Sequence, residues 1–355
     1  MEHVKNISSN KIFAHLDRVE EIMDYNRCFP ICLEIHPTNY CTHNCNNCTA
    51  KKNRTKNIKD AITSELIFNI LDDFKRNGGK AILWSGGGDP TLYSCPATGR
   101  KLNDVIDYCG NLKIDQGVYS NGEHLNHHMI ESIVKSCTFL RISLDAFSPQ
   151  THKRVHNVDS FNIILKNIAH CLELKNKLGS QIDIGVSYVV YENNIDDLTN
   201  FKSFLNNYPI DYLYFKPGVI IDPSDETKNN QRAGLLGIRE NLKEYFQKTQ
   251  IEIADKKFEN IAHSAEENRR SCYIGALFPL ISADAKLFYC CHTVNNVDFL
   301  IGDLKEETLY DINKRFQINR YCNFKSCPVN CRGHIINNDV ESALCLLNNR
   351  HKNFL

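Results

Sequence analysis

Cys41-Thr42-His43-Asn44-Cys45-Asn46-Asn47-Cys48 places three cysteines at C-x3-C-x2-C spacing on one polar loop. The loop directly follows a short apolar run, Ile31 to Ile35, that reads as a strand. It is short enough to wrap one metal centre, and three thiolates leave one coordination position open. A four-iron cluster can be held at three irons with the fourth kept for a substrate, whereas structural zinc is usually closed by four protein ligands. Zinc is the alternative reading, with His43 as a fourth ligand, although a ring between the first two cysteines makes joint ligation awkward.

Outward from this loop, strand-like runs recur at Ala81 to Trp84, Ile114 to Tyr119, Phe139 to Leu144, Ile182 to Val190 and Tyr212 to Phe215. Apolar residues at three- and four-residue spacing predict helices over Ser64 to Lys75, Asn126 to Lys135, Phe161 to Lys177 and Leu198 to Asn206. This alternation predicts an α/β fold with a parallel sheet of βαβ units. Six strands fall short of a closed eight-stranded barrel, so a partial barrel and an open doubly wound sheet both fit the pattern. Residues 1–30 read as a lead-in, 31–257 as the core and 258–355 as a smaller cysteine-rich domain. A helix over Leu235 to Gln247 precedes that boundary. Beyond it, Phe278 to Ser282 and Lys286 to Cys290 flank Ala283-Asp284-Ala285 as a hairpin.

The 42 basic and 42 acidic residues cancel, which argues against nucleic acid or an anionic membrane as a partner. Charges run through the first thirty residues with no long apolar core, so neither a signal peptide nor a transmembrane helix is read there and a cytoplasmic location is expected. Sixteen cysteines in a reducing compartment point to metal or cluster ligation rather than disulfides. Cys95, Cys109, Cys137 and Cys171, within the core, read as small buried hydrophobes.

The second strand ends in Ser85-Gly86-Gly87-Gly88-Asp89-Pro90, where glycines let backbone approach a ligand that side chains would block. The third ends in Ser120-Asn121-Gly122. In the fourth, Arg141, Ser143 and Asp145 share one face while Leu140, Ile142 and Leu144 share the other. Polar residues on a central strand carry a desolvation cost unless they bind something or form an internal hydrogen-bonded network. Ser187 and Lys216-Pro217 are weaker candidates. His152, Arg154 and His156 read as solvated loop residues rather than catalysts.

The ordered set of cysteine loop, glycine motif and strand-end motifs resembles the radical S-adenosylmethionine (SAM) superfamily. The resemblance implies a partial (β/α)6 TIM-type barrel and a [4Fe-4S] cluster on Cys41, Cys45 and Cys48 whose open iron chelates SAM. Gly87, Gly88 and Asp89 stand where the family has its GGE motif near the SAM amino group, with Asp89 for Glu. Asn121 lies in a segment similar to the family's TNG turn, and Ser143 and Asp145 resemble its ribose-contacting positions. One departure is Asn47, where the family often has an aromatic residue near the adenine.

The tail carries Cys272, the pair Cys290 and Cys291, then Cys322, Cys327, Cys331 and Cys345. This pattern is similar to the SPASM and twitch appendages of the same superfamily, as are the Phe299 to Leu304 segment and a helix up to about Arg320. The likeness implies one auxiliary [4Fe-4S] cluster on Cys272, Cys290, Cys327 and Cys331, with Cys291 and Cys322 as substitutes. A zinc ribbon is the alternative. The implied activity is reductive cleavage of SAM to a 5′-deoxyadenosyl radical that abstracts a substrate hydrogen, fed by a flavodoxin- or ferredoxin-type donor.

No cobalamin-type domain and no peptide-recognition domain is read ahead of the first strand. The expected reaction is therefore an oxidoreductase or isomerase step, the dehydrogenation or epimerisation of a sugar-like or aminocyclitol small molecule. A peptide-modifying maturase is the alternative. A non-catalytic electron-transfer protein or zinc module accounts less well for ligand-type motifs on successive strand ends. The sequence names no residue that acts on the substrate itself.

Overall fold

The computed structural model describes residues 9–218, 250–253, 271–318, 331 and 333–350. After helix α1 (Leu16–Tyr25), strands β1 (Cys32–Ile35), β2 (Ala81–Trp84), β3 (Asp115–Ser120), β4 (Phe139–Ser143), β5 (Asp183–Val190) and β6 (Tyr212–Pro217) succeed one another with helices between them. These are the six strands read from the apolar runs, and they lie side by side in chain order, all parallel. A seventh, β7 (Gln250–Ile253), adds in parallel to β6 and is not apparent in the sequence pattern. The predicted helix over Leu235 to Gln247 and the boundary near residue 257 lie outside the described residues.

The helices begin and end where local chemistry dictates. Thr63 accepts from Leu66 N at the start of α2 (Ser64–Arg76), and α3 (Leu102–Asn111) follows β2. Asn126 accepts from Met129 N to cap α4 (His127–Ser136), and Ser148 accepts from Thr151 N to cap α5 (Pro149–His156), which has proline at its first position. Gly179 closes α6 (Phe161–Leu178) in the left-handed conformation that glycine adopts freely. The helix predicted over Leu198 to Asn206 is split into a 3-10 turn, Ile195–Asn200, and α7 (Phe201–Asn207).

Alternation sorts the strand residues into two layers. Leu33, Ile35, Ile82, Trp84, Val118, Leu140, Ile142, Ile184 and Val186 are buried in one core with helix residues such as Ile67, Ile130 and Ile164. Their neighbours Glu34, Tyr119, Arg141, Ser143, Ser187, Tyr212 and Tyr214 face the other way. This second face is polar and sits opposite the helix layer.

Among the described residues, the strands of the tail join the main sheet. After α8 (Ile274–Leu277), β8 (Leu280–Ile281) and β9 (Lys286–Phe288) form the expected antiparallel hairpin, with Ala285 in the left-handed region at φ 65°. β8 also pairs in parallel with β1, so the hairpin and β10 (Leu300–Asp303) continue the main sheet. The ten-stranded order is β10-β9-β8-β1-β2-β3-β4-β5-β6-β7, open at both ends among the described residues. Two helices follow, α9 (Leu309–Arg315) and α10 (Gly333–Leu347). No helix among the described residues is long and apolar enough to cross a membrane.

Candidate active site

β1 hands its chain at Ile35 to the cysteine loop, which is fastened to the carboxyl end of β2. Gly88 N donates to Thr38 O at 3.1 Å and Asp89 N to Tyr40 O at 2.9 Å. The glycines serve this contact. A Cβ on Gly88 would lie 2.0 Å from the Tyr40 carbonyl oxygen, and one on Gly87 would lie 2.1 Å from Asn39 Oδ1. The far side of the loop is held by α5: Asn44 N donates to His156 O and Asn46 N to Val155 O. Arg54 closes the loop on itself through His43 O at 2.6 Å.

Asp89 is 3% exposed and occupied by the scaffold. Its carboxylate accepts from Thr91 N, Thr91 Oγ1, Ser120 Oγ and Asn121 N at 2.5–3.1 Å, tying the end of β2 to that of β3. Asn121 Nδ2 then lies 3.9 Å from Cys41 Sγ, and its Oδ1 accepts from Glu123 N. Ser143 and Ser187 meet hydroxyl to hydroxyl at 3.5 Å on the polar face. Asp145 turns inward instead. It sits at φ 52°, accepts from Val189 N at 2.7 Å and approaches His156 Nε2 at 3.6 Å. Burial pushes its carboxyl up, with the charges of His156 and Lys216 opposing.

The three loop thiols are gathered within electrostatic reach of one another. Burial pushes Cys41 up to about 11, with the Asp89 carboxylate and Cys48 adding to it. Burial pushes Cys45 up to about 12, with Cys48, Asp145 and Cys41 adding to it. Both remain thiols at neutral pH in the bare protein, and thiolates at this place need a bound cation. Three sulfur donors on one loop are the soft donor set that an iron-sulfur cluster takes.

Residues 35–204, from the last residue of β1 into α7, match the family described as the radical SAM superfamily. This segment is a radical SAM domain. An uncharacterized protein of Methanocaldococcus jannaschii is 27% identical over 212 residues, covering 56% of this chain and 66% of that protein. The chain thus spans just under two thirds of that relative. Among solved structures, SuiB of Streptococcus suis bound to S-adenosylmethionine superposes with a TM-score of 0.63 at 14% identity, covering 88% of this chain and 72% of that one. Native anSMEcpe with bound AdoMet superposes with a TM-score of 0.61 at 13% identity, covering 83% and 82%. These likenesses are of fold.

Around the radical SAM domain's cysteine loop lie residues that the sequence reading set aside. His152 and His156 are not solvated loop residues. They stand one turn apart on α5 and are 0% and 3% exposed. His156 Nδ1 is 3.0 Å from Cys45 Sγ, and the rings of His43 and His152 pack beside it. Burial holds both His43 and His152 down at about 3. Arg154 alone of that group faces solvent, paired with Asp196 at 2.8 Å. The i, i+4 spacing of two histidines directly after β4 was the available signal.

One further polar group of the sheet, Glu34, also escaped, and Arg141, read as part of the polar face of the fourth strand, is held in a hydrogen-bonded network. Glu34 accepts from Ser85 Oγ at 2.6 Å beside His36, on β1 and just past it. Arg141 is buried in an aromatic cage, donating from Nε to Tyr212 Oη at 3.0 Å and from Nη1 to Tyr119 Oη at 3.2 Å. The rings of Tyr119, Phe139, Tyr212 and Tyr214 surround its guanidinium at 4.9–5.9 Å.

In the tail, beyond the radical SAM domain, a second set of thiols lies within electrostatic reach of one another. Burial pushes Cys290 well up, and Cys291, Cys331 and Cys272 reinforce the shift. Cys331 Sγ accepts from Gly333 N at 3.3 Å, at the start of α10. Three of the four expected auxiliary ligands are thus neighbours, and Cys291, expected as a substitute, joins them. Cys327 and Cys322 lie outside the described residues. Cys345 is exposed on α10.

Proposed function

We propose that the chain is a hydrogen-abstracting radical SAM enzyme whose cluster ligands are Cys41, Cys45 and Cys48. The observation that carries this reading is the gathering of three half-buried thiols on one loop at the carboxyl end of β1, beside the polar ends of β2, β3 and β4. When bound, a [4Fe-4S] cluster and SAM supply reductive cleavage of SAM to a 5′-deoxyadenosyl radical, at the expense of one electron from a flavodoxin- or ferredoxin-type donor.

The chain's own residues provide position. Gly87 and Gly88 let the cysteine loop lie flush on the end of β2, and Asp89 locks that end to Asn121. Ser143 presents a hydroxyl on the polar face for a ribose, while Asp145 acts from below by fixing Val189 and facing His156. Cys272, Cys290, Cys291 and Cys331 supply enough thiols for one auxiliary cluster, with Cys327 as the alternative fourth.

For the substrate, the first reading is a sugar-like or aminocyclitol alcohol undergoing dehydrogenation or epimerisation. The hydroxyls of Ser143 and Ser187 on the polar face suit a hydroxylated molecule. A peptide is the second reading, supported by the fold likeness to SuiB, which has also been crystallised with its precursor peptide SuiA.

Anaerobic reconstitution with iron and sulfide, followed by SAM and a strong reductant, tests the reaction. The native chain is expected to release 5′-deoxyadenosine, and the Cys41→Ala, Cys45→Ala, Cys48→Ala triple variant is expected to release none. Equal release from both would remove the ligand assignment. Deuterium passing from a labelled aminocyclitol or peptide into 5′-deoxyadenosine then separates the two substrate readings.

A further inference from the structure

Three histidines crowd one cysteine beneath the loop, and their hydrogen bonds fix which ring nitrogens are free. His156 Nε2 lies 3.0 Å from the Leu144 carbonyl oxygen. A carbonyl only accepts, so Nε2 carries a proton, and Nδ1 is the ring nitrogen turned toward Cys45 Sγ at 3.0 Å. His43 repeats the arrangement. Its Nε2 faces the Glu123 carboxylate at 3.3 Å and the Ser160 hydroxyl at 3.3 Å, and its Nδ1 is buried with no hydrogen-bond partner. A carboxylate or carbonyl holding the outer nitrogen is the support that metal-bound histidines commonly have.

One ligand atom from each of His43, Cys45 and His156 lies within 4.8 Å of the other two. A single ion with bonds of about 2.0–2.3 Å can close that spacing with small side-chain shifts. An unpaired nitrogen on a side chain that is 2% exposed is costly, and a bound cation removes the cost. The joint ligation that chain spacing made awkward for His43 is achieved through His156, which the fold brings in from α5.

We propose that His43, Cys45 and His156 form a mononuclear site for a divalent transition metal of the zinc class, occupied when no cluster is bound. One thiolate and two imidazoles suit such an ion, whereas Mg2+ and Ca2+ prefer oxygen. Binding releases the Cys45 thiol proton to solvent. The His152 ring packs 4.6 Å from that of His156 and walls the site on that side. Cys45 belongs to this site and to the proposed cluster, so the two exclude one another. That exclusion rests on the proposed cluster ligands; the metal site itself does not. In the cluster-free chain the ion pins the loop to α5 and has to leave before a cluster is built.

The test uses the full chain, stripped of iron and zinc by a chelator under reducing conditions and titrated with Co2+. One equivalent beyond any taken by the tail thiols is expected at this site, its difference spectrum showing the thiolate-to-cobalt charge-transfer band and the intense visible bands of a tetrahedral site. The Cys41→Ala, Cys48→Ala double variant keeps these bands, while His43→Ala, Cys45→Ala and His156→Ala each lose them. Glu123→Gln leaves all three ligands in place and weakens binding by roughly 10–100-fold, which covers the case of a histidine variant that does not fold. Retention of the bands in the histidine variants together with their loss in the double variant would put the ion on the loop thiols and overturn the proposal. A weak octahedral spectrum in the native chain would overturn it as well. The readout needs neither cluster nor SAM, so its failure leaves the radical reading standing.

Discussion

Asp89 shows how a residue can stand in a ligand motif and still be committed to the scaffold. Four donors converge on its buried carboxylate, so Asp89→Asn sets an amide N–H against at least one of them. A loss of about 1–3 kcal/mol is expected for the cluster-free protein, read from its urea midpoint. Unchanged stability with weakened SAM binding would instead assign the carboxylate to the ligand. Two buried cysteines differ in the same instructive way. Burial alone pushes Cys171 up to about 12, from an ordinary value of 9.0. Its folded state favours the thiol, so its contribution is whole below pH 9 and is lost as pH rises toward 12. Cys95 is also buried, which raises its thiol, but hydrogen bonds from Ser64 and Thr98 outweigh burial and hold it down at about 6. Its contribution is present above pH 9 and is lost as pH falls through 6. Cys171→Ala should therefore flatten the alkaline fall of the denaturation midpoint, and Cys95→Ala should flatten its slope between pH 6 and 9. Parallel profiles for both variants and the native chain would contradict these environments.

The elements that were legible in the sequence are those whose periodicity the fold leaves undisturbed. Strands β1 to β6 and helices α2, α4 and α6 are read within a residue or two, because each buries one regular stripe in a single layer. β7 is four residues long and offers no such stripe, and α1 lies in a stretch read only as a lead-in. α5 is short and strongly polar, so its two buried histidines looked like solvent residues until the cysteine loop was seen to cover them. The glycine segment was legible as a place of close backbone approach. What the sequence could not give is that the partner is the cysteine loop, since that contact closes across a whole βα unit. It makes a prediction at this scale: Gly88→Ala drives a Cβ into Tyr40 O and must push the loop off β2. The variant is expected to fold, with its helical circular dichroism intact, and to bind far less iron on reconstitution than the native chain. Full iron content would show that the loop yields without losing its thiol geometry.

At the scale of the whole molecule, the two ends of the chain close over β1. Glu34 N donates to Pro279 O at 3.0 Å and His36 N to Ile281 O at 2.8 Å, giving β1 a parallel neighbour from the tail. Asn313 Nδ2 reaches Cys28 O at 2.6 Å, Ile318 N reaches Asn26 O at 3.1 Å, and α10 packs against α1. Cys272, Cys290 and Cys291 are thereby mounted beside the sheet that carries the cysteine loop. Composition gave no sign of this, because β8 is two residues long and its partner strand is some 250 residues away in the chain. Removing residues 258–355 would leave the N–H groups of Ile31, Glu34 and His36 without the acceptors that Leu277, Pro279 and Ile281 provide, on a newly opened strand edge. The full chain is expected to unfold in one thermal transition, and the 1–257 fragment to aggregate or to unfold at a clearly lower temperature, by light scattering and circular dichroism. A monomeric fragment with the native transition would mean that the tail rests on the core without supporting it, and that the two sets of thiols are built independently.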